Sequence, residues 1–298
     1  MTALEASTSP VPRHYGRVLS RLGHYLLVAL TAIWLVGPFL WLFITSISYQ
    51  RDLFQKPTPL LPLNPTLENY EMILGIVDFH SKDQAQLVIA SLGNSVIVSI
   101  AVTLINIVFG SAAGYAYARH RSTAMNISLY FILFTRMLPV VVLIPALFLV
   151  LRQLGFQNTL TGLVLAYCSF TFPFTIWIMK SYFETIPREL EESGLVDGAT
   201  RFQVFYKLIL PISGPGLVAA GAFTFVLCWN EFLVAQVLNS KRGLTTLPPA
   251  IAGMLGQANI DYSVIAASGF LSALPAVLLA LIFQRYMVQG LTAGSVKG

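Results

Sequence analysis

The chain has 298 residues, of which 56% are hydrophobic and only 10% charged, and its mean hydropathy is +0.72. Soluble domains carry about 25% charged residues, and disordered chains are richer in charge still, so a soluble globule and a disordered chain are both excluded. The net charge of +5 fits the positive-inside bias of a polytopic membrane protein, and no nucleic-acid partner is expected.

A membrane helix needs about 20 mostly apolar residues. Six stretches qualify in chain order: Tyr25–Ile47, Gly93–Tyr117, Ile127–Val150, Leu160–Met179, Gly214–Val234 and Val264–Tyr286. The expected fold is therefore all-α, with six transmembrane helices in lipid. Residues 1–20 read as a polar cytoplasmic segment, 21–289 as the membrane domain and 290–298 as a tail. The first stretch follows Arg13, Arg17 and Arg21 like a signal peptide. Its apolar core is too long for one and no small-residue cleavage site follows, so it is expected to remain as an anchor.

Orientation follows from the loops. With six spans, the side holding both termini carries eleven Lys and Arg (Arg13, Arg17, Arg21, Arg119, Arg121, Lys180, Arg188, Arg201, Lys207, Arg285 and Lys297) against six on the other. Both termini are expected to be cytoplasmic. The outer loops run from Ser48 to Leu92 and from Leu238 to Ser263; the cytoplasmic loop over 180–213 is the most charged part of the chain. Cys168 and Cys228 lie in apolar runs and read as packed thiols. The sequence holds no phosphate-cradling G-x-x-x-x-G-K-[ST] and no His or Cys pair with metal-ligand spacing. A transporter, channel or scaffold is expected rather than an enzyme.

The cytoplasmic loop carries the strongest signal. Pro187 fits the first position of a helix, and Glu189, Glu191 and Glu192 follow where the helix dipole favours acids. Asp197-Gly198 reads as a turn, with Asp197 able to cap a second helix over Ala199–Leu210 that Pro211 stops. Two short helices at an angle are expected, with a mixed-charge surface suited to docking a protein.

This loop resembles the EAA signature of the permease subunits of bacterial ABC importers, with Glu192, Gly198, Leu208, Leu210 and Pro211 at matching positions. Ser193 and Gly194 stand where the family prefers Ala-Ala, and Gly194 costs about 1 kcal/mol of helix propensity. Pro65-Thr66-Leu67-Glu68-Asn69-Tyr70, Trp229-Asn230-Glu231-Phe232 and the tail Gly290–Gly298 are similar to the carbohydrate-uptake branch, nearest its maltose-type six-span subunits.

The resemblance implies half of a binding-protein-dependent import pathway in a bacterial inner membrane. Its implied partners are a second permease, usually a different chain, an ATPase dimer that binds ATP and Mg, and an extracytoplasmic solute-binding protein; no cofactor is implied for this chain. Glu191, Glu192, Ser193, Gly194, Asp197, Gly198, Ala199, Leu208, Leu210 and Pro211 would form the coupling helix and its exit. Glu191 and Glu192 would face the ATPase. Gly290, Thr292, Gly294 and Lys297 would follow an extended path along it. A sugar, oligosaccharide or polyol is the implied solute.

Within the spans, Arg136 falls about 13 Å into the third stretch at 1.5 Å per residue. A charge there should face a cavity or a partner, so it either lines or gates the pathway, or pairs with the companion subunit or snorkels. Asn230 and Glu231 either meet solute or binding protein, or end a helix, with Trp229 as an interfacial anchor. Asn259 belongs to the outer loop that would enter the binding protein. Pro38, Pro139, Pro145, Pro173 and Pro275 should kink their helices, and Gly110-x-x-x-Gly114 should allow close packing. The alternative function, an ion-coupled secondary transporter, calls for inverted repeats and midplane acids; Glu231 is the one acid in a predicted span.

Overall fold

A computed structural model describes residues 13–77, 82–120, 122–241, 243–256 and 260–292. Every regular element among them is helical. The chain runs through α1 (Arg13–Ser46), the short α2 (Gln50–Leu53) and α3 (Glu68–Ile73), and α4 (Lys82–Ile105). A π-helical turn, Asn106–Gly110, joins α4 to α5 (Ser111–Arg119). Then come α6 (Thr123–Thr135), α7 (Val140–Gln153), α8 (Leu160–Glu184) and α9 (Glu189–Val196). The remainder is α10 (Arg201–Gln203), a second π-helical stretch Val204–Ile209, α11 (Leu210–Ile212), α12 (Gly214–Trp229), α13 (Leu233–Leu238), α14 (Leu247–Met254) and α15 (Tyr262–Thr292).

Four helical runs are long and apolar enough to cross a membrane: Arg21–Ser46, Leu87–Arg119, Leu160–Glu184 and Tyr262–Tyr286. The other two stretches are broken. The expected continuous third span is α6 and α7, bent by 99°. The cause is Pro139, which disfavours helical backbone at Leu138 and begins α7 instead of kinking a continuous helix. In the fifth stretch the run Arg201–Ile212 meets α12 at 77°. Helix α12 then ends at Trp229 and the chain resumes in α13, so the expected helix to Val234 is interrupted. Pro38, Pro145, Pro173 and Pro275 do lie inside helices. At the amino end, α1 already begins at Arg13, ahead of the expected boundary at residue 20.

Helix α8 is the hub, packed by α4, α5, α12 and the first π-turn. The seam with α5 depends on small residues. A Cβ at Gly114 would lie 2.8 Å from Met179 Cβ and 2.9 Å from the Lys180 nitrogen, and one at Gly110 would lie 2.7 Å from Thr175 Cγ2. Gly110-x-x-x-Gly114 thus brings two backbones together, as small residues do in membrane helix pairs. Beside it, fully buried Asn106 donates to Val102 O (2.9 Å) and Thr171 Oγ1 (3.0 Å) and accepts from Thr175 Oγ1 (3.1 Å); Thr175 also bonds Thr224 Oγ1 (3.0 Å). This polar knot ties α4, α8 and α12 where lipid offers no replacement partner. Cys168 and Cys228 are free, buried thiols in the same core.

The expected outer loop from Leu238 to Ser263 contains one short helix, α14. Leu247, Ala250 and Met254 of α14 are buried, and Asn94 of α4 donates to Gly243 O and Thr245 O at 2.9 Å each.

Candidate functional site: the cytoplasmic loop and two helix breaks

The loop after α8 folds into the two expected short helices, with different punctuation. Pro187 precedes α9, whose N-terminal neighbour is Arg188. Asp197 ends α9 and caps nothing. Gly198 turns the chain at φ +84°, a left-handed conformation that favours glycine. The cap of the next helix is Thr200: its Oγ1 accepts from Gln203 N (3.3 Å), and Gln203 Oε1 accepts from Thr200 N (2.8 Å). Pro211 does not stop this run, which continues to Ile212 before bending at Ser213. Pro211 is the second residue of α11, one residue before the run ends.

Gly194 stays helical. A Cβ there would meet Val204 Cγ2 at 3.1 Å and Leu208 Cδ2 at 3.5 Å, so the small residue lets α9 lie on the π-helical stretch. Ser193 Oγ donates back to Leu190 O (3.0 Å). Ala199 and Leu208 join the apolar cluster beneath, around Phe183, Val204 and Ile209; Leu210 is half-buried.

The two adjacent glutamates diverge. Glu192 is exposed. Glu191 turns inward: it pairs with Arg119 Nε and accepts from Tyr115 Oη at 2.9 Å. The expectation that Glu191 faces a partner is therefore corrected, because both of its oxygens are engaged within the chain. No residue of α9 is buried, and its exposed surface is mixed: Leu190, Leu195 and Val196 stand beside Glu189, Glu192 and Ser193. Val196 is 86% and Phe202 74% exposed; Tyr206, one turn after Phe202, stacks on it at 6.3 Å, and Leu190 and Leu195 are exposed nearby. Sequence reasoning passed over Phe202 and Tyr206, although their i,i+4 spacing in a charged loop is a readable signal.

Arg136 sits at the bend after α6, not inside a continuous helix. Its Nη1 donates to Phe170 O (2.7 Å) and its guanidinium lies 5.7 Å from the Phe174 ring centre. Glu231 lies in the break after α12, accepting from Tyr167 Oη (2.9 Å), Val234 N (2.9 Å) and Ala235 N (3.1 Å). It caps α13. Asn230 ends α12, donating to Val226 O (3.0 Å). Both breaks are thus pinned to one turn of α8, Tyr167–Phe170. Trp229 is no interfacial anchor: it is 1% exposed, donates to Ser272 O (2.7 Å) and stacks on Phe225.

Gly290 and Thr292 belong to α15, so the tail's first residues are helical where an extended path was expected. Asn259, Gly294 and Lys297 lie outside the described residues.

Residues 106–293 match the family described as "Binding-protein-dependent transport system inner membrane component". The chain is 33% identical to the trehalose/maltose transport system permease protein MalG of Thermococcus litoralis, over 94% of this chain and 98% of that one. It is 34% identical to the sulfoquinovosyl glycerol transport system permease protein SmoH of Agrobacterium fabrum, over 88% of each. Among solved structures, the fold is similar (TM-score 0.75, 21% identity) to a chain of a bacterial ABC transporter involved in the import of the acidic polysaccharide alginate, covering 93% of this chain and 99% of that one.

Proposed function

The chain belongs to the binding-protein-dependent transport permeases, multi-pass proteins of the inner membrane, and on that premise we propose that it forms half of a six-span carbohydrate import pathway driven by a separate ATPase. The observation that carries this reading is α9: a helix with no buried residue, held on one side by the membrane body, that exposes Leu190, Leu195 and Val196 beside Glu189 and Glu192. Such a surface calls for a protein partner. The six-span count takes α6 with α7 as one span and α12, after the cytoplasmic run Arg201–Ile212, as another, which puts α9 on the side with most Lys and Arg, the cytoplasm.

Glu192, Val196 and Phe202 dock on the ATPase, which carries ATP and Mg; Gly194 and Gly198 shape the loop, and Ala199, Leu208, Leu210 and Pro211 set its exit into α12. The tail from Gly290 to Lys297 adds a second contact. Closure of the ATPase dimer then shifts the spans between two access states, as for a two-state rocking device. Arg136, Asn230 and Glu231 mark the two breaks, where irregular backbone is tolerated because it lines a cavity or protein. The similar permeases named for trehalose/maltose and sulfoquinovosyl glycerol support a sugar or sugar-conjugate cargo. A second permease chain completes the path, and the outer loop, with Asn259, meets the solute-binding protein.

The test is reconstitution with the cognate ATPase and binding protein. Uptake should require both, and Glu192→Lys should cut it at least about tenfold while the complex still assembles. Uptake driven by an ion gradient alone would select the secondary-transporter alternative and overturn this reading.

A further inference from the structure

We infer that Glu191 is a positioning residue, which through Arg119 and Tyr115 clamps the coupling helix α9 to the cytoplasmic end of α5 so that motion of the loop enters the second span without slack. The inference rests on the coupling reading above and deepens it.

Three independent contacts converge on the clamp. Arg119 ends α5, and its side chain is 10% exposed against 14% for Glu191. Its Nε engages Glu191 Oε1, while Nη2 donates to Ile186 O at 3.1 Å, on the chain entering α9. Tyr115, one turn earlier, donates to Glu191 Oε2 at 2.9 Å, and its ring packs on Phe205 (4.7 Å) and Phe183 (5.6 Å). One guanidinium therefore grips the loop at two points that precede and occupy α9.

Apolar contact already seats α9, through Gly194 on Val204 and Leu208. Such contact is non-directional and leaves a short helix free to roll or slide. The charge-assisted contacts are directional, and a largely buried pair resists separation because each charge would lose its partner where water replaces it poorly. Helix α9 and α5 must then move as one body. Continuity through the first π-turn passes that movement to α4, and the glycine seam at Gly110 and Gly114 passes it to α8. Of two neighbouring glutamates, Glu192 receives force from the ATPase and Glu191 delivers it to the spans.

The experiment measures solute carried per ATP hydrolysed in proteoliposomes holding the complete transporter. Arg119→Lys keeps the charge but loses the fork that spans Glu191 and Ile186. It should lower this ratio about tenfold, while co-purification with the ATPase is retained. Tyr115→Phe removes one hydroxyl and should lower it about twofold. Adding Glu191→Gln to Arg119→Lys should cost little more than either alone, as expected for one unit. A parental ratio in both Arg119→Lys and Tyr115→Phe overturns the clamp. If Arg119→Lys fails to assemble, Tyr115→Phe decides alone, and a parental ratio there overturns the clamp as well. Glu192→Lys run beside them separates the two claims: uncoupling by Glu192→Lys with a parental ratio in both Arg119→Lys and Tyr115→Phe leaves the docking reading standing and removes the clamp, whereas a harmless Glu192→Lys removes the docking reading itself.

Discussion

Helices α8 and α9 are joined by the short link Thr185–Arg188, yet they are packed in opposite ways. In α8, 67% of the apolar window is buried inside the chain, and it touches most of the membrane body; α9 has no buried residue. In α8 the side chains are committed to the fold, down to glycines on its neighbours that admit no methyl group. In α9 only the inner edge, at Glu191 and Gly194, is committed, and Val196 and Glu192 are left bare. Hydrophobicity alone does not separate committed from uncommitted surface: the Arg21–Ser46 run of α1 is as apolar as any of the four spanning runs, and its most apolar stretch is 0% buried. A covering of lipid or another subunit suits that run, where the proposed covering of α9 is a water-borne partner.

Damage to the α8 hub should thus appear as instability, and damage to the outer surface of α9 as lost coupling in a stable protein. The largest effect is expected at the seam. Gly114→Val drives a branched side chain into Met179 and the Lys180 backbone, and overpacking costs about 1–3 kcal/mol or more where backbone must move. Detergent thermal-stability assays should show a strong loss of folded protein; a variant of parental stability breaks the claim that the seam is committed. Next comes Phe202→Ala, which removes an exposed aromatic of the kind that anchors interfaces. A loss of about 1.4 kcal/mol, or tenfold in ATPase affinity, is expected with melting unchanged. A shifted melting temperature with parental affinity would reverse the assignment.

The smallest effect sharpens the comparison within the hub. Asn106→Leu is nearly isosteric and strips the polar knot, but Thr171 still donates to Tyr167 O at 2.8 Å. Membrane hydrogen bonds measured singly average about 0.6 kcal/mol, so a destabilisation of about 1 kcal/mol is expected by unfolding titration. A much larger loss would make the knot, and not the glycine seam, the main determinant of α8 packing.

Much of this was readable in the residues. Long continuous apolar runs announced the spans because only helices and closed barrels satisfy their backbone in lipid, and barrel strands are short and alternating. Gly198 announced its turn, since a left-handed residue needs glycine. Gly110-x-x-x-Gly114 announced a close helix pair, although not its partner. The misreadings cluster where local signals compete. Asp197 and Thr200 are both acceptable caps, and the choice fell to Thr200 because Gln203 could complete the reciprocal pair. Pro139 marked a distortion in the third stretch, but whether it kinked or broke the helix depended on what received Arg136. Pro211 looked like a stop, and the helical run ends one residue after it.

Composition and periodicity determined by themselves that this chain is a bundle of membrane helices with a charged loop between its fourth and fifth apolar stretches, because burying apolar length and sparing backbone polar groups are one-dimensional constraints. The directions of individual side chains belonged to the tertiary structure alone. Glu191 and Glu192 are neighbours of identical chemistry, and no local rule distinguishes them. One is claimed by Arg119, 72 residues away in the chain, and the other is left free, because a helix turns by about 100° per residue and only the packing of α9 decides which of two adjacent side chains meets the body.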